Sequence, residues 1–231
     1  MKIVNPSAEV LFTETGDEMM KRIEAAGRTA YKSEDKITDQ SAEAFVRTII
    51  TRGHMSVLEH VSVSARVVCD RGVTHEIVRH RIASYTQEST RYCNYAGDKY
   101  GSEITVVLPE FLREAYSMVQ TGCFVDEGNS PKLGQFLIWQ RAMENVESAY
   151  MELLELKASP QEARSVLPNS LKTEIVMTMN LREWLHFFNL RTSPKAHPDM
   201  QVVAKMLLVQ FNLALPCIYG ELAKERIGDH G

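Results

Sequence analysis

Long hydrophobic runs and the common signatures of export and of nucleotide binding are missing from this sequence. No stretch approaches the roughly 18 consecutive apolar residues of a membrane-spanning helix. The opening residues, MKIVNPSAEVLF, lack the apolar segment and small-residue cleavage site of a secretory signal. The phosphate-binding patterns GxGxxG and GxxxxGK[ST] are also absent. We therefore expect a protein that is neither exported nor embedded in a membrane, and that does not bind phosphate through these loops.

Cysteine is scarce and scattered. The four cysteines are Cys69, Cys93, Cys123 and Cys217. This number and spacing argue against a disulfide framework and against a CxxC metal site. None of the four lies in a recognisable nucleophile motif. A reducing, cytoplasmic setting is the expectation that follows.

A metal-binding HExxH motif is also lacking, although His75-Glu76-Ile77-Val78-Arg79-His80 resembles one. Two histidines four residues apart lie on one face of a helix and can share a metal ion. Histidines five residues apart are separated by about 140° on a helix. We therefore expect no metal site here, and a histidine-metal hydrolase is a disfavoured alternative.

Positive charge is not in excess. Lysine and arginine together number 26 and aspartate and glutamate 30, which gives a net charge of −4. This balance argues against a nucleic-acid-binding protein, which usually needs a basic surface. The 231 residues are 44% hydrophobic, enough to bury a substantial core. We expect a single domain over residues 1–231.

The exception to this charge balance is the segment 79–91, in which Arg79, Arg81 and Arg91 face one acidic residue, Glu88. Guanidinium groups bind phosphate through paired, charge-assisted hydrogen bonds. Gln87 can both donate and accept, which suits the edge of a pyrimidine or a flavin. The segment therefore indicates a small anionic ligand. A solvated helix end with a polar loop, and a non-catalytic nucleotide- or RNA-binding module, remain alternatives.

Apolar periodicity predicts an α+β fold, a mixed or antiparallel sheet packed with several helices. Helices are predicted over 17–31, 40–52, 73–81, 133–156, a short segment after Ser159, the segment from Asn180 to about Arg191, and 199 to the C-terminus. Strands are predicted over 61–69, 104–108 and 173–179. Segment 83–102 is predicted to be a long loop and 119–132 a mobile loop. Ser159 and Glu162 form a capping-box pattern, and Asn180 with Glu183 an N-cap pair.

Four segments together resemble the flavin-dependent thymidylate synthases, and they occur in that family's order. The most informative of the four is the R-H-R string, followed by a serine and an arginine at the family's spacing: Arg79, His80, Arg81, Ser89 and Arg91. The others are G-H-x-S-x-x-E-H over 53–60, A-R-x-V-L-P over 163–168, and N-x-R with F-N-L-R over 180–191. The combination spans most of the chain and is far more specific than the R-H-R string alone.

The resemblance implies an α+β homotetramer with sites built from several subunits. Such enzymes convert dUMP to dTMP, taking a methylene group from 5,10-methylenetetrahydrofolate and reducing equivalents from NADPH through bound FAD. The folate product is tetrahydrofolate, and no enzyme cysteine attacks the uracil. From the histidine spacing, the charge balance and the lack of long apolar runs, we expect no resident metal, no nucleic acid and no membrane among the partners.

The resemblance also assigns cofactor-binding positions. They are Ser56, Glu59, Arg79, His80, Arg81, Asn180, Arg182 and His186. Asn180 has a second interpretation as a helix cap, and both roles can hold together. Glu59 has an alternative interpretation as a capping carboxylate.

Substrate-binding positions follow in the same way. They are Glu76, Gln87, Glu88, Ser89, Thr90, Arg91, Arg164 and Arg191. Arg191 and Ser89 are the catalytic candidates: Arg191 would stabilise negative charge on the pyrimidine carbonyl. For Ser89 a binding role is favoured, because no histidine lies at a recognisable activating position. Glu76 stands where the family often has glutamine, and its role stays open, as do those of Lys195 and His197.

Overall fold

The computed structural model describes residues 1–122 and 131–228. The strands are β1 Lys2–Val4, β2 Ser7–Leu11, β3 Ser62–Asp70, β4 Ser84–Gln87, β5 Thr105–Val107 and β6 Lys172–Asn180. The helices are α1 Gly16–Thr29, α2 Ser41–Thr51, α3 Arg71–Ile77, α4 Arg113–Thr121, α5 Pro131–Glu155, α6 Pro160–Ala163, α7 Leu181–Arg191, α8 Pro198–Ala214 and α9 Pro216–Ile227. Helices accompany two sheets, which confirms the α+β prediction in its coarse form.

The chain divides into two compact units, and it passes from one to the other five times, including once within β3 and once within β6. Unit 1 comprises Met1–Pro6, Val68–Glu76 and Gln87–Ile175. Unit 2 comprises Ser7–Val67, Ile77–Thr86 and Val176–Gly231. The single domain expected from the sequence stays a prediction.

Unit 1 contains the smaller sheet and the longest helix. β1 pairs in parallel with β5, with Lys2 opposite Thr105. Its core includes Ile104 and Val106 from the β5 region and Tyr150 from α5, all fully buried. The helix predicted over 133–156 is confirmed as α5, but Leu137 is 48% exposed and does not belong to the buried face.

Unit 2 is built around an aromatic cluster. Trp184 and Phe188 of α7 pack against Phe211 of α8, and Phe188 also packs against Tyr219 of α9. Phe187 packs against Trp184, and all five side chains are fully buried. The sheet order is β2–β3–β6–β4. Two hydrogen bonds join α7 to the beginning of β3: Trp184 Nε1 donates to the Val63 carbonyl at 3.0 Å, and the Leu181 amide donates to the Val61 carbonyl at 3.0 Å. This packing fixes the helix that carries Arg182, His186 and Arg191.

Several boundaries differ from the sequence predictions. The helix predicted over 73–81 ends at Ile77, and the predicted loop 83–102 contains β4. The predicted C-terminal helix is two helices, because Pro216 cannot continue the hydrogen-bonding pattern of α8 and instead begins α9. β1, β2 and α4 were not predicted. Most of the predicted mobile loop 119–132, residues 123–130 with Cys123, lies outside the described residues.

Helix starts follow the predicted capping chemistry, with one shift. α1 is capped by Thr15 rather than near Asp17: the Glu18 amide donates to Thr15 Oγ1 at 3.3 Å, and the Thr15 amide donates to Glu18 Oε2 at 2.7 Å. The capping box of Ser159 and Glu162 at α6 is confirmed.

Thr15→Ala is expected to lower the free energy of unfolding by about 1 kcal/mol, the usual cost of losing an N-cap hydroxyl. The control is Thr13→Ala, which removes a hydroxyl from an exposed residue two positions earlier. Urea denaturation of both variants measures the difference. Equal midpoints for the two variants would contradict the assignment of the cap.

Candidate active site

The first group of predicted site residues lies in unit 2, in the segment between α3 and β4. His80 is only 4% exposed, whereas its neighbours Arg79 and Arg81 are exposed. The Tyr85 hydroxyl donates to the His80 carbonyl at 2.6 Å and to the Ile77 carbonyl at 2.9 Å. These bonds hold the turn, so that the histidine is anchored in the unit and the two guanidinium groups face the surface.

The His80 ring contacts two residues of α7: Arg191, which is a predicted site residue, and Glu183, which is not. Its Nδ1 lies 3.3 Å from Glu183 Oε1, and its Nε2 accepts from Arg191 Nε at 3.0 Å. Burial, followed by the nearby charges of Arg191 and His186, lowers the pKa of His80 to about 4. The imidazole is therefore neutral at physiological pH and serves as a hydrogen-bond acceptor for the guanidinium.

The start of α7 brings further cofactor-binding candidates together. Arg182 forms an ion pair with Glu59, with 2.6 Å between Nη1 and Oε1. The Asn180 side chain accepts from the Glu183 amide at 2.9 Å, which confirms its predicted role as a helix cap. Glu59 is an ion-pair partner across 123 positions of sequence rather than a local cap.

Two cavities in unit 2 share Ile82, Glu183 and His186 in their walls. One, of about 330 Å³, is further lined by Arg79, His80, Arg81, Leu190 and Arg191. The other, of about 370 Å³, is further lined by Glu59, Asn180 and Arg182. Guanidinium groups around exposed apolar side chains, such as the 66% exposed Ile82, suit a ligand that combines a flat ring with phosphates.

Ser56 is separate from these two cavities. It lies in the 3-10 turn Met55–His60 and lines a larger cavity of about 870 Å³ between α1 and α2. His54, Arg28 and Arg52 line the same cavity. Among the predicted cofactor-binding residues, Ser56 is therefore the one that the structure does not place with the R-H-R segment.

Most of the second group, the predicted substrate-binding residues, lies in unit 1. Arg164 Nη1 donates to Thr90 Oγ1 at 3.4 Å, which joins two motifs 74 positions apart. Arg91 Nε donates to Gln161 Oε1 at 3.0 Å, and its guanidinium stands 5.4 Å from the centre of the Tyr92 ring. Both arginines therefore lie at the loop that contains Thr90 and Arg91.

Two other members of this group build the loop from inside unit 1. The Gln87 amide nitrogen donates to the hydroxyls of Thr74 at 3.1 Å and Thr173 at 3.2 Å. The Glu88 carboxylate accepts from Lys172 at 2.9 Å and from the Tyr95 hydroxyl at 3.1 Å. Both side chains hold the loop, whatever contacts they make with a ligand.

Ser89 shapes the turn that follows. Its carbonyl accepts from the amides of Tyr92 at 3.1 Å and Cys93 at 3.0 Å, and its Oγ accepts from the Arg91 amide at 3.4 Å. This hydroxyl therefore orders the backbone beside Arg91. Glu76, half-buried in α3, lies in the same unit, and its role stays a prediction.

The two groups separate by unit. All cofactor-binding candidates lie in unit 2, and all substrate-binding candidates except Arg191 lie in unit 1.

The sequence predicted Glu183 only as the partner of a helix cap, and it did not predict Tyr85 or Lys172 as residues that support the site. No sequence signal marks these contacts, because each depends on residues distant along the chain or on the turn between α3 and β4.

His80, Glu183 and His186 also place possible metal-ligating atoms within 4.8 Å of one another. Both nitrogens of the His80 ring already face partners, Glu183 and the cationic Arg191, and a guanidinium repels a metal ion. The arrangement suits a hydrogen-bonded chain better than a metal site.

His197 has a separate role: its Nδ1 accepts from the Asp199 amide at 3.3 Å and caps α8.

Comparison with known proteins assigns the family. The family model described as "Thymidylate synthase complementing protein" matches residues 11–217. The chain is 33% identical over 183 residues to a flavin-dependent thymidylate synthase of Pyrococcus furiosus, covering 79% of this chain and 67% of that protein. It is 31% identical over 210 residues to one of Corynebacterium efficiens, covering 90% and 81%. The chain belongs to the flavin-dependent thymidylate synthase family.

A solved structure shares the fold. The UMP/dUMP methylase PolB from Streptomyces cacaoi, crystallised with 5-Br dUMP, superposes with a TM-score of 0.73 at 23% identity over 97% of both chains. Among residues 1–122 and 131–228, no helix combines the length and apolar character needed to cross a bilayer. The resemblance found in the sequence motifs and the expectation of an enzyme are confirmed by the family assignment.

Proposed function

We propose that this protein catalyses the reductive methylation of dUMP to dTMP. The balanced reaction takes dUMP, 5,10-methylenetetrahydrofolate, NADPH and a proton to dTMP, tetrahydrofolate and NADP⁺. The observation that carries the proposal is the Arg191 guanidinium held by a neutral, buried His80 beside Arg79 and Arg81. Membership of the family supports it, since the relatives are named for this activity.

FAD is the proposed resident cofactor, and the residues of unit 2 fit it. The guanidiniums of Arg79, Arg81 and Arg182 supply donors for a pyrophosphate, and the exposed Ile82 supplies an apolar surface for a flat ring. Asn180 can both donate and accept at a ring or ribose edge. When bound by these residues, FAD would supply the hydride-transfer chemistry that links NADPH to the transferred one-carbon group.

The proposed dUMP phosphate site is the loop of unit 1. Arg91 and Arg164 carry the positive charge, and the Ser89 turn orders the backbone beside Arg91. The bonds made by Gln87 and Glu88 keep the loop in one shape before substrate arrives, which lowers the ordering cost of binding. Ser89 is proposed as a binding residue and not as a nucleophile.

Arg191 is proposed as the group that stabilises negative charge on the pyrimidine. An arginine stays protonated throughout and donates only. Its hydrogen bond to His80 fixes the guanidinium before the charge develops, and such preorganised electrostatics usually dominate catalysis. No cysteine takes part in this scheme.

The proposal extends to assembly and location. The enzyme is proposed to act in the cytoplasm as a homotetramer whose sites combine residues of several subunits, with no nucleic acid or membrane as partner. Exposed apolar side chains such as Leu213, 73% exposed, and Leu156, 81% exposed, are candidates for subunit contacts. Sedimentation equilibrium of the purified protein tests the tetramer.

A product assay tests the reaction. Labelled dUMP is incubated with FAD-loaded protein, NADPH and 5,10-methylenetetrahydrofolate, and both products are separated by chromatography. We expect dTMP and tetrahydrofolate in equal amounts, and no dTMP when NADPH is omitted. Dihydrofolate as the folate product, or dTMP formed without NADPH, would contradict the proposed route for the hydride.

Arg91→Ala is expected to raise the KM for dUMP by about 10- to 100-fold, since a hydrogen bond to a charged group contributes about 1.5–3 kcal/mol. Steady-state kinetics with varied dUMP measure the change. The control, Arg113→Ala, removes an arginine of the same unit that pairs with Glu110. An unchanged KM for dUMP in Arg91→Ala would remove Arg91 from the phosphate site.

A further inference from the structure

Helix α7 departs from a pattern that the chain uses at two other helices. In α1 the Glu18 carboxylate, three residues after the cap, accepts from the backbone amide of Thr15 at 2.7 Å. The equivalent glutamate of α6 does the same. In α7 only the cap side chain makes its bond, and the Glu183 carboxylate turns instead toward His80, 3.3 Å from Nδ1. The carboxylate is thus used across 103 positions of sequence rather than for its own helix.

The bond from Arg191 shows which nitrogen of His80 carries the proton. A guanidinium has donors only, so the Nε2 that receives the Arg191 Nε–H at 3.0 Å must hold a lone pair. A neutral imidazole carries one proton, which then lies on Nδ1 and faces Glu183. The opposite tautomer would set two N–H groups against each other and would leave the carboxylate without a donor.

Burial makes this chain of bonds selective. His80 is 4% exposed and Glu183 8% exposed, so each side chain depends mainly on protein partners for its hydrogen bonds. The Phe187 ring packs against the His80 ring at 5.0 Å between centroids, and the Tyr85 hydroxyl holds the His80 carbonyl. A buried carboxylate is costly unless it is hydrogen-bonded, and Glu183 meets this need through His80 rather than through helix capping.

We propose that Glu183 is a positioning residue that holds His80 as the Nδ1–H tautomer and, through His80, fixes the guanidinium of Arg191. The inference deepens the proposed function, since it rests on Arg191 acting at the pyrimidine. Glu183 itself touches no reacting atom in this scheme. Its effect on catalysis passes entirely through His80 and Arg191.

The tautomer is measured first, on protein without cofactor or substrate. Two-bond ¹H–¹⁵N spectra of protein labelled with [¹⁵N]histidine report which ring nitrogen is protonated, and His80→Asn identifies the signal. We expect Nδ1–H in the wild type and in Glu183→Gln, whose amide oxygen still accepts, and a larger share of Nε2–H in Glu183→Leu, in which the Nδ1 proton loses its acceptor. An Nε2–H ring in the wild type would overturn the inference whatever the activity.

Kinetics then test the connection to Arg191. Glu183→Leu is expected to lower kcat by about tenfold with little change in the KM for dUMP, the lower range for losing the partner that orients a histidine. Glu183→Gln is expected to recover most of this loss. In an Arg191→Ala background, Glu183→Leu should lower kcat by less than a further factor of about two, because both substitutions disrupt the same chain of hydrogen bonds. If the two substitutions lower kcat by factors that multiply fully, the proposed connection from Glu183 through His80 to Arg191 is contradicted.

The outcomes separate this inference from the proposed function. A wild-type protein that forms no dTMP but holds His80 as Nδ1–H overturns the function and supports the relay geometry. A wild-type protein that forms dTMP but holds His80 as Nε2–H overturns the relay alone. Circular dichroism of both Glu183 variants checks the fold, and Glu183→Gln keeps the test decisive if Glu183→Leu does not fold.

Discussion

Arg191→Ala is expected to lower kcat for dTMP formation by about 100- to 1,000-fold, the usual effect of removing a preorganised donor that stabilises developing negative charge. The guanidinium is held by the Nε bond to His80 at 3.0 Å, so its orientation is set before substrate binds. Because this stabilisation grows as the charge develops, the loss should appear in kcat more than in the KM for dUMP. Single-turnover kinetics with bound dUMP measure it.

Two further variants make the result specific. Arg191→Lys keeps the charge but cannot reproduce the planar guanidinium, so most of the loss should remain. Arg47→Ala removes an exposed arginine of the same unit that pairs with Glu43, and its kcat should stay near the wild-type value. A kcat for Arg191→Ala within about threefold of wild type would refute the role given to Arg191.

The second large effect concerns stability in acid. The pKa of His80 falls from the usual 6.5 to about 4 in the folded protein, first through burial and then through Arg191 and His186. Between pH 4 and pH 6.5 His80 binds a proton in the unfolded chain but stays neutral in the folded protein. The free energy of unfolding of the cofactor-free protein should therefore fall by about 3 kcal/mol as pH drops from 6.5 to 4 through this one group. Well above pH 6.5 His80 is neutral in both the folded and the unfolded protein, so the full free energy of unfolding is retained.

The comparison with His80→Asn isolates this contribution from the other titrating groups. Urea denaturation of both proteins from pH 7.5 to pH 4 should show a steeper loss of stability in the wild type. Arg191→Gln should reduce the steepness, because it removes one charge that opposes protonation of His80, while Glu183 and His186 still face the ring. Parallel pH profiles for the wild type and His80→Asn would show that His80 does not resist protonation.

Local patterns in the sequence predicted the elements whose cause is local. The alternation in β3 gave the buried face correctly, with Val63, Ala65 and Val67 inside. The capping side chains at α6 and α7 were also identified correctly. β4 was missed because its residues, Ser84–Gln87, are polar, and its place in the sheet depends on pairing with distant β6. The break before Pro216 was missed because apolar spacing continues across it.

The candidate site divides in the same way. Motif order predicted Arg164 and Arg191 as site residues, but not what holds each of them. Arg191 meets His80 across 111 positions of sequence and Arg164 meets Thr90 across 74, and periodicity carries no information at such separations. Glu183 shows the limit most clearly, because its position three residues after Asn180 predicts a capping role that its carboxylate does not take.

The absorption spectrum of the purified protein, supplied with FAD and kept anaerobic, is the most direct test of flavin-dependent dUMP methylation. We expect the bands of bound oxidised flavin, a change in those bands when dUMP is added, and loss of the bands when NADPH follows. A protein that binds no FAD and stays colourless would contradict the account, and its arginine cluster would then be a simple phosphate-binding site.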